Sequence, residues 1–175
     1  MMTPDVDPPL APDELVSTGT ERDVLEAFLD FHRGVIQRKA RGLSEEDARR
    51  KLVPSLTTLA GLVKHLIGVE RHWFQAVLAQ SPARSLPANS RGDDASWLVD
   101  DGETLDGLIA EYDRTCSWSR QAAARFALED AVPHRRLGQV SLRWIYVHMI
   151  EETARHAGHA DILRELTDGA TGVDG

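Results

Sequence analysis

Residues 141–169 read SLRWIYVHMIEETARHAGHADILRELTDG, and this stretch decides the fold. Its apolar residues recur every three or four positions, which is the period of an α-helix with one buried face. We therefore predict a helix from Ser141 to about Leu166, stopped by Asp168 and Gly169. A helix of this length needs other helices to cover its apolar face.

The same period appears elsewhere in the chain. It predicts three more segments: a helix from Thr20 toward Gly42, a helix over 55–79 and a helix over 105–128. A short helix is predicted after the capping residue Ser44, ending near Pro54. Residues 80–103 carry Pro, Gly, Ser and Asp clusters, which indicate a long connection with a short extended or helical piece at 95–98. No stretch requires strands, so the predicted class is all-α, a four-helix bundle.

Composition and charge limit the domain organisation, the partners and the location that can be expected. A chain of 175 residues with four prolines in its first twenty predicts a flexible tail over 1–20, one domain over 21–169 and a short tail over 170–175. The 28 acidic and 20 basic side chains give a net charge of −8, which argues against nucleic acid or a membrane surface as a partner. A single cysteine, the lack of a secretion signal and the lack of an apolar run of ~18 residues predict a cytoplasmic protein.

Two polar groups interrupt the apolar stripe of the last helix. Glu152 and His156 lie four residues apart, on one face and inside the stripe. Burying them is costly unless something pairs with them, and a divalent cation could do so. His65, on the apolar shoulder of the second long helix, is the candidate third ligand. Spacing alone leaves a buried Glu152–His156 ion pair equally open.

Three further histidines are candidates for the surroundings of that site. His148 and His159 flank the pair on the same helix, so we expect them to line the pocket or to hydrogen-bond to the ligands. His32 falls in the apolar arc of the first helix, where a hydrogen-bonded core histidine and a residue of the pocket are both possible interpretations.

Two more groups are interpreted as structural. Glu70 is central on the apolar face of the second long helix, and a buried arginine such as Arg33 or Arg143 is its expected partner. Cys116 has no basic neighbour in sequence that would activate its thiol.

Three stretches together carry a family resemblance. They are HMIEETARHAGHADILRELTDG (148–169), GLVKHLIGVERHWF (61–74) and FLDFHRGVIQRKARGLSEEDARRKLVPS (28–55). With them the chain resembles the DinB/YfiT-like superfamily over about 21–169, and in particular an actinobacterial branch whose members are mostly uncharacterised. The resemblance implies a four-helix bundle in up-down-down-up order.

The resemblance also implies a metal site. Members of the superfamily hold a divalent ion, often zinc or nickel, with one ligand from the second helix and two, four residues apart, from the fourth. His65, Glu152 and His156 occupy these positions here. The superfamily commonly has His where this chain has Glu152, and the Glu variant resembles the mycothiol-dependent maleylpyruvate isomerases. A carboxylate ligand suits harder ions than an all-imidazole site does.

The implied function is a metal-dependent transferase or isomerase that uses a low-molecular-weight thiol such as mycothiol. Its expected partners are that thiol and a small-molecule electrophile, and a homodimer is a further expectation. Two other functions stay open from the residues alone. One is a metal-binding module with a structural or vestigial site that acts in stress response. The other is a metal-dependent hydrolase.

Overall fold

The structure is a computed structural model, and it describes residues 9–82 and 94–172. The described chain is mostly helical, with one small two-stranded hairpin. Residues 1–8 of the predicted N-terminal tail, 83–93 of the connection and 173–175 of the C-terminal tail lie outside the described residues. Within the described part, no helix combines the length and apolar character that crossing a bilayer requires.

The helices and strands follow one another in a simple order. The α-helices are α1 (Glu21–Ala40), α2 (Glu45–Ala48), α3 (Leu59–Glu70), α4 (Leu105–Ala123) and α5 (Leu142–Asp168). A π-helix over Arg71–Leu78 continues α3 directly, and short 3-10 turns cover Glu14–Val16 and Asp94–Trp97. The strands are β1 (Ala131–His134) and β2 (Gly138–Ser141).

Side-chain caps fix where the helices begin. Thr20 accepts a hydrogen bond from the backbone N–H of Asp23, whose carboxylate accepts one from the N–H of Thr20, so α1 starts with a capping box. Ser141 caps α5, and Gly169 ends it in the left-handed conformation with φ of +80°, as the sequence predicts. The second long helix begins later than predicted, because Thr58 rather than Ser55 precedes its first turn as the cap.

The hairpin is the main departure from the all-α prediction. β1 and β2 pair antiparallel, with Val132 opposite Val140, and both valines are buried. Gly138 begins β2 with φ of +77°, a conformation that glycine adopts without strain. The sequence around Pro133 predicts a loop. Proline is nevertheless tolerated in a two-stranded ribbon, because each strand has a free edge. The third long helix ends at Ala123, earlier than the predicted 128, and turns occupy the residues between it and β1.

The core surrounds α3. All twelve residues of this helix are buried, including the polar ones. It packs against α4, α5, α1 and the 3-10 turn at Asp94–Trp97, while α1 packs mainly against α5. Any polar side chain on α3 is therefore inside the protein, and His65 lies midway along it.

A buried ion pair joins α1 to the end of α3. Arg33 Nε and Nη2 donate to the two carboxylate oxygens of Glu70, each at 2.7 Å, and the side chains are 3% and 0% exposed. Of the two partners expected from the sequence, the structure selects Arg33. Arg143 instead pairs at the surface with Glu21 and Glu129. A bidentate pair of this kind fixes the position of one helix against the other.

Replacing Arg33 with Met should strongly destabilise the fold, because Glu70 would stay buried without its partner. We expect a loss of about 3–5 kcal/mol in the free energy of unfolding, measured by urea denaturation. The double variant Arg33→Met/Glu70→Leu should recover most of that loss. Arg143→Met, which removes an exposed pair, is the matched control and should have a much smaller effect. Equal losses in Arg33→Met and Arg143→Met would contradict this account.

Candidate metal centre

Three side chains from two helices meet between α3 and α5. The Nε2 atom of His65 lies 3.6 Å from Oε1 of Glu152, and the Nε2 atom of His156 lies 3.1 Å from the same oxygen. One donor atom from each of the three residues falls within 4.8 Å of the other two. The structure thus brings together the three residues that the sequence singled out as ligands.

The centre is buried but reaches the surface at one side. His65 and His156 are 7% and 6% exposed, and the side chain of Glu152 is 17% exposed. The hydrogen bond with His156, the imidazole of His65 at 3.6 Å and the nearby charge of Arg155 hold the pKa of the Glu152 carboxyl well below its usual range. Glu152 is therefore a carboxylate at neutral pH, and a negative charge lies between two imidazoles.

Each histidine has a partner for its other ring nitrogen. His65 Nδ1 lies 2.8 Å from Ser96 Oγ, and His156 Nδ1 lies 3.4 Å from Nδ1 of His159. In the tautomer whose Nδ1–H donates to the serine, Nε2 of His65 carries a lone pair that is available to a cation, in place of a hydrogen bond to Glu152. Metal-binding histidines are oriented in this way, because the second hydrogen bond fixes both the tautomer and the ring plane.

The carboxylate is oriented as well. Arg155, one turn away on α5, donates from Nη1 to Oε2 of Glu152 at 2.9 Å. This contact occupies the oxygen that faces away from the histidines and leaves Oε1 directed at their Nε2 atoms.

The connection before α4 closes one side of the centre. The indole of Trp97 stacks on the ring of His65, with centroids 4.2 Å apart and planes 14° apart, and it also contacts the ring of His156. Gly61 makes this approach possible, since a Cβ at that position would lie 2.6 Å from the carbonyl oxygen of Trp97. Lys64 Nζ holds the same segment by donating to Leu98 O and Glu103 Oε2, both at 2.6 Å.

Ser96 and Trp97 both contact the candidate ligand His65, and neither was predicted from the sequence to belong to the site. The prediction placed a short piece at 95–98 but gave it no role. A tryptophan inside a connection that is otherwise rich in Pro, Gly, Ser and Asp was the available signal. What it covers could not be read from the chain, because its contact with His65 spans more than thirty residues.

The three additional histidines have different surroundings. His159 contacts His156 directly. His148 belongs instead to an aromatic group, stacked on Trp144 and edge-on to Trp73. His32 contacts Phe31 edge-on, and in the described part of the chain no hydrogen bond or ring contact joins it to the three candidate ligands.

The donor set fits a divalent cation. In a tetrahedral centre with metal–ligand bonds of about 2.0–2.1 Å, neighbouring donor atoms lie about 3.3 Å apart. The separations of 3.1 and 3.6 Å from Oε1 of Glu152 to the two Nε2 atoms lie on either side of that value. Two imidazoles and one carboxylate also leave coordination positions open for water or a substrate.

These features define a mostly helical protein with an internal candidate metal centre of two histidines and one glutamate. The sequence profile of the mycothiol-S-transferase family matches residues 24–169, so the chain belongs to that family. The family is DinB/YfiT-like, which confirms the resemblance seen in the sequence. No curated protein matches the chain by sequence.

Ser96→Ala should weaken metal binding without unfolding the protein, because it removes the hydrogen-bond partner of His65 Nδ1. We expect the affinity for Zn²⁺, measured by competition with a chromophoric chelator, to fall about 10- to 100-fold. Ser117→Ala, on the exposed face of α4, is the matched control and should bind as the wild type does. Unchanged affinity in Ser96→Ala would show that the serine does not orient the ligand.

Proposed function

We propose that the protein is a metal-dependent S-transferase that uses mycothiol as its thiol. The domain over 21–169 would be a four-helix bundle of the DinB/YfiT type, with zinc or nickel held by His65, Glu152 and His156. The observation that carries the proposal is the convergence of these three donors in a chain that belongs to the mycothiol-S-transferase family.

A divalent cation at this centre would lower the pKa of a coordinated thiol and so supply a nucleophile at neutral pH. Side chains around the centre orient the three candidate ligands. Glu152 offers a full negative charge, and Arg155 keeps its Oε1 turned inward. Ser96 and His159 hold the two imidazoles with their Nε2 atoms toward Glu152. Trp97 covers the ring of His65, which excludes water from that side.

The reaction itself is a nucleophilic transfer. A lone pair of the thiol sulfur forms a new bond to an electrophilic carbon, and the leaving group departs with the electron pair of the broken bond. The thiol proton passes to solvent. The residues of the centre need only bind and orient the reactants, so no nucleophilic side chain is required. Cys116 does not take part, because burial raises the pKa of its thiol and keeps it protonated.

Hydrolysis at the same centre is the nearest alternative, since three ligands and an open position can also activate water. The family match supports thiol transfer over hydrolysis. A structural or vestigial metal site is a second alternative, and it differs from the proposal in what happens when the metal is removed.

The purified protein should hold about one divalent ion per chain, as measured by elemental mass spectrometry. His65→Ala and His156→Ala should lose it while keeping the helical signal of the wild type in circular dichroism, because each removes one of three donors. His32→Ala is the matched control and should retain the ion, since His32 does not contact the centre. Two results would contradict the proposal: ligand variants that retain the metal, or a wild type that unfolds when a chelator removes it.

The metal-loaded protein should accelerate formation of a thioether between mycothiol and 1-chloro-2,4-dinitrobenzene. The adduct is followed by absorbance and identified by mass, with the uncatalysed rate subtracted. Glu152→Gln should lower the rate at least about 100-fold, because the substitution removes the charge and weakens the metal site. The absence of an adduct with mycothiol, cysteine or glutathione, combined with turnover of ester substrates, would replace the transferase by a hydrolase.

A further inference from the structure

A cavity of about 230 Å³ lies between α1, the π-helix, α4 and α5. Arg33 and Phe74 in its lining are buried, whereas the side chains of Glu26, Asp30 and Arg120 are partly exposed. None of the three candidate metal ligands lines it. The volume is below the range of about 300–1,000 Å³ typical of sites for drug-sized molecules, so the cavity suits a smaller ligand.

The charges around this cavity balance one another. Burial opposes the ionisation of Asp30, but hydrogen bonds and charge from Arg120 and Arg33 hold the pKa of its carboxyl below the ordinary value. Three guanidinium groups and three carboxylates are joined by ion pairs: Arg22 with Glu26, Arg33 with Asp30 and Glu70, and Arg120 with Asp30. A ligand with a net charge would add a charge that nothing compensates, whereas a zwitterion adds none.

Two groups in the lining keep unused hydrogen-bonding capacity. Arg120 donates to Asp30 through Nε, so its Nη1 and Nη2 have no partner in the described part of the chain. Glu26 accepts from Arg22 and from the hydroxyl of Tyr146 at the same oxygen, Oε1. Its Oε2 has no partner among the described residues. A free guanidinium edge binds a carboxylate, and a free carboxylate oxygen binds an ammonium group.

The two unused groups are held close together. Glu26 and Asp30 lie one turn apart on α1, and Arg120 is bound to Asp30. Side chains four residues apart on a helix have Cβ atoms about 5–6 Å apart. This spacing matches a ligand whose ammonium and carboxylate are attached to the same carbon. The rings of Phe74 and Tyr146, edge to face with centroids 6.0 Å apart, offer apolar surface to the rest of the molecule.

We infer that this cavity binds a free α-amino acid with a small aliphatic side chain. Its carboxylate accepts hydrogen bonds from Nη1 and Nη2 of Arg120, and its ammonium group donates to Oε2 of Glu26. Its side chain contacts the rings of Phe74 and Tyr146. The inference does not depend on the proposed function, because the cavity shares no lining residue with the candidate metal ligands.

The first test is the binding of L-leucine to the full chain, measured by isothermal titration calorimetry. Leucine should bind saturably at one site per chain. L-leucinamide lacks the carboxylate and N-acetyl-L-leucine lacks the ammonium group, so each should bind about 10- to 100-fold more weakly. The same loss is expected for 6-aminohexanoate, whose two charges are too far apart. The inference is overturned if glycine, alanine, valine and leucine all fail to bind, or if leucinamide binds as tightly as leucine.

Substitutions at the two unused groups assign the binding to this cavity. Arg120→Gln should lower the affinity for leucine about 10- to 100-fold and leave that for leucinamide unchanged, because the amide makes no bond that the substitution removes. Glu26→Gln should do the same for leucine and N-acetyl-leucine. Both side chains are about half exposed, so the fold should tolerate these changes. Arg114→Gln is the matched control, since Arg114 is exposed on α4 and does not line the cavity. Equal affinities for leucine in Arg120→Gln and Arg114→Gln would overturn the inference.

A further variant separates the cavity from the candidate metal centre. Amino acids also chelate divalent ions through their amine and carboxylate, so leucine binding could report on a metal. His156→Ala removes a candidate ligand and no part of the cavity, and it should bind leucine with the affinity of the wild type. Loss of leucine binding in His156→Ala would assign the amino acid to the centre and overturn the inference.

Discussion

A carboxylate held between two buried imidazoles is the constraint on which the rest of the structure depends. The Oε1 atom of Glu152 lies within 3.6 Å of both Nε2 atoms, and both histidines are buried. A negative charge in such surroundings needs compensation, and Arg155 reaches only the other oxygen. A cation at Oε1 would satisfy the carboxylate and the lone pairs of both Nε2 atoms together, and the contacts of the two Nδ1 atoms with Ser96 and His159 are compatible with that state.

Helix α3 makes this arrangement possible because it is buried along its whole length. Its polar residues have separate tasks. Glu70 ties the helix to Arg33 of α1, and Lys64 fastens the connection that carries Trp97 over the centre. His65 lies between these two anchor points. The contacts of Lys64 and Glu70, which lie before and after His65 in the sequence, therefore hold the part of α3 that carries the His65 ring. Helix α5 packs against α3.

Much of the fold and of the candidate centre could be predicted from the sequence, and the features that were missed were missed for physical reasons. The start and end of α5 follow from Ser141 and Gly169, because capping is local. The pairing of Glu152 with His156 follows from helical geometry, and His65 from its place on an apolar shoulder. The hairpin was missed because four-residue strands carry little pattern and one of them contains a proline. The contact of Trp97 with His65 could not be predicted, because it depends on how a long connection folds back across α3.

The position of the donors along the chain bears on biosynthesis. His65 is made early, whereas Glu152 and His156 belong to α5, which follows every other described helix. A ribosome-bound chain therefore presents only a single imidazole from this centre until α5 has emerged, and one imidazole retains a cation poorly. If the centre binds a metal as proposed, the finished domain and not the growing polypeptide would select the ion, from whichever metals the cell keeps exchangeable at that moment.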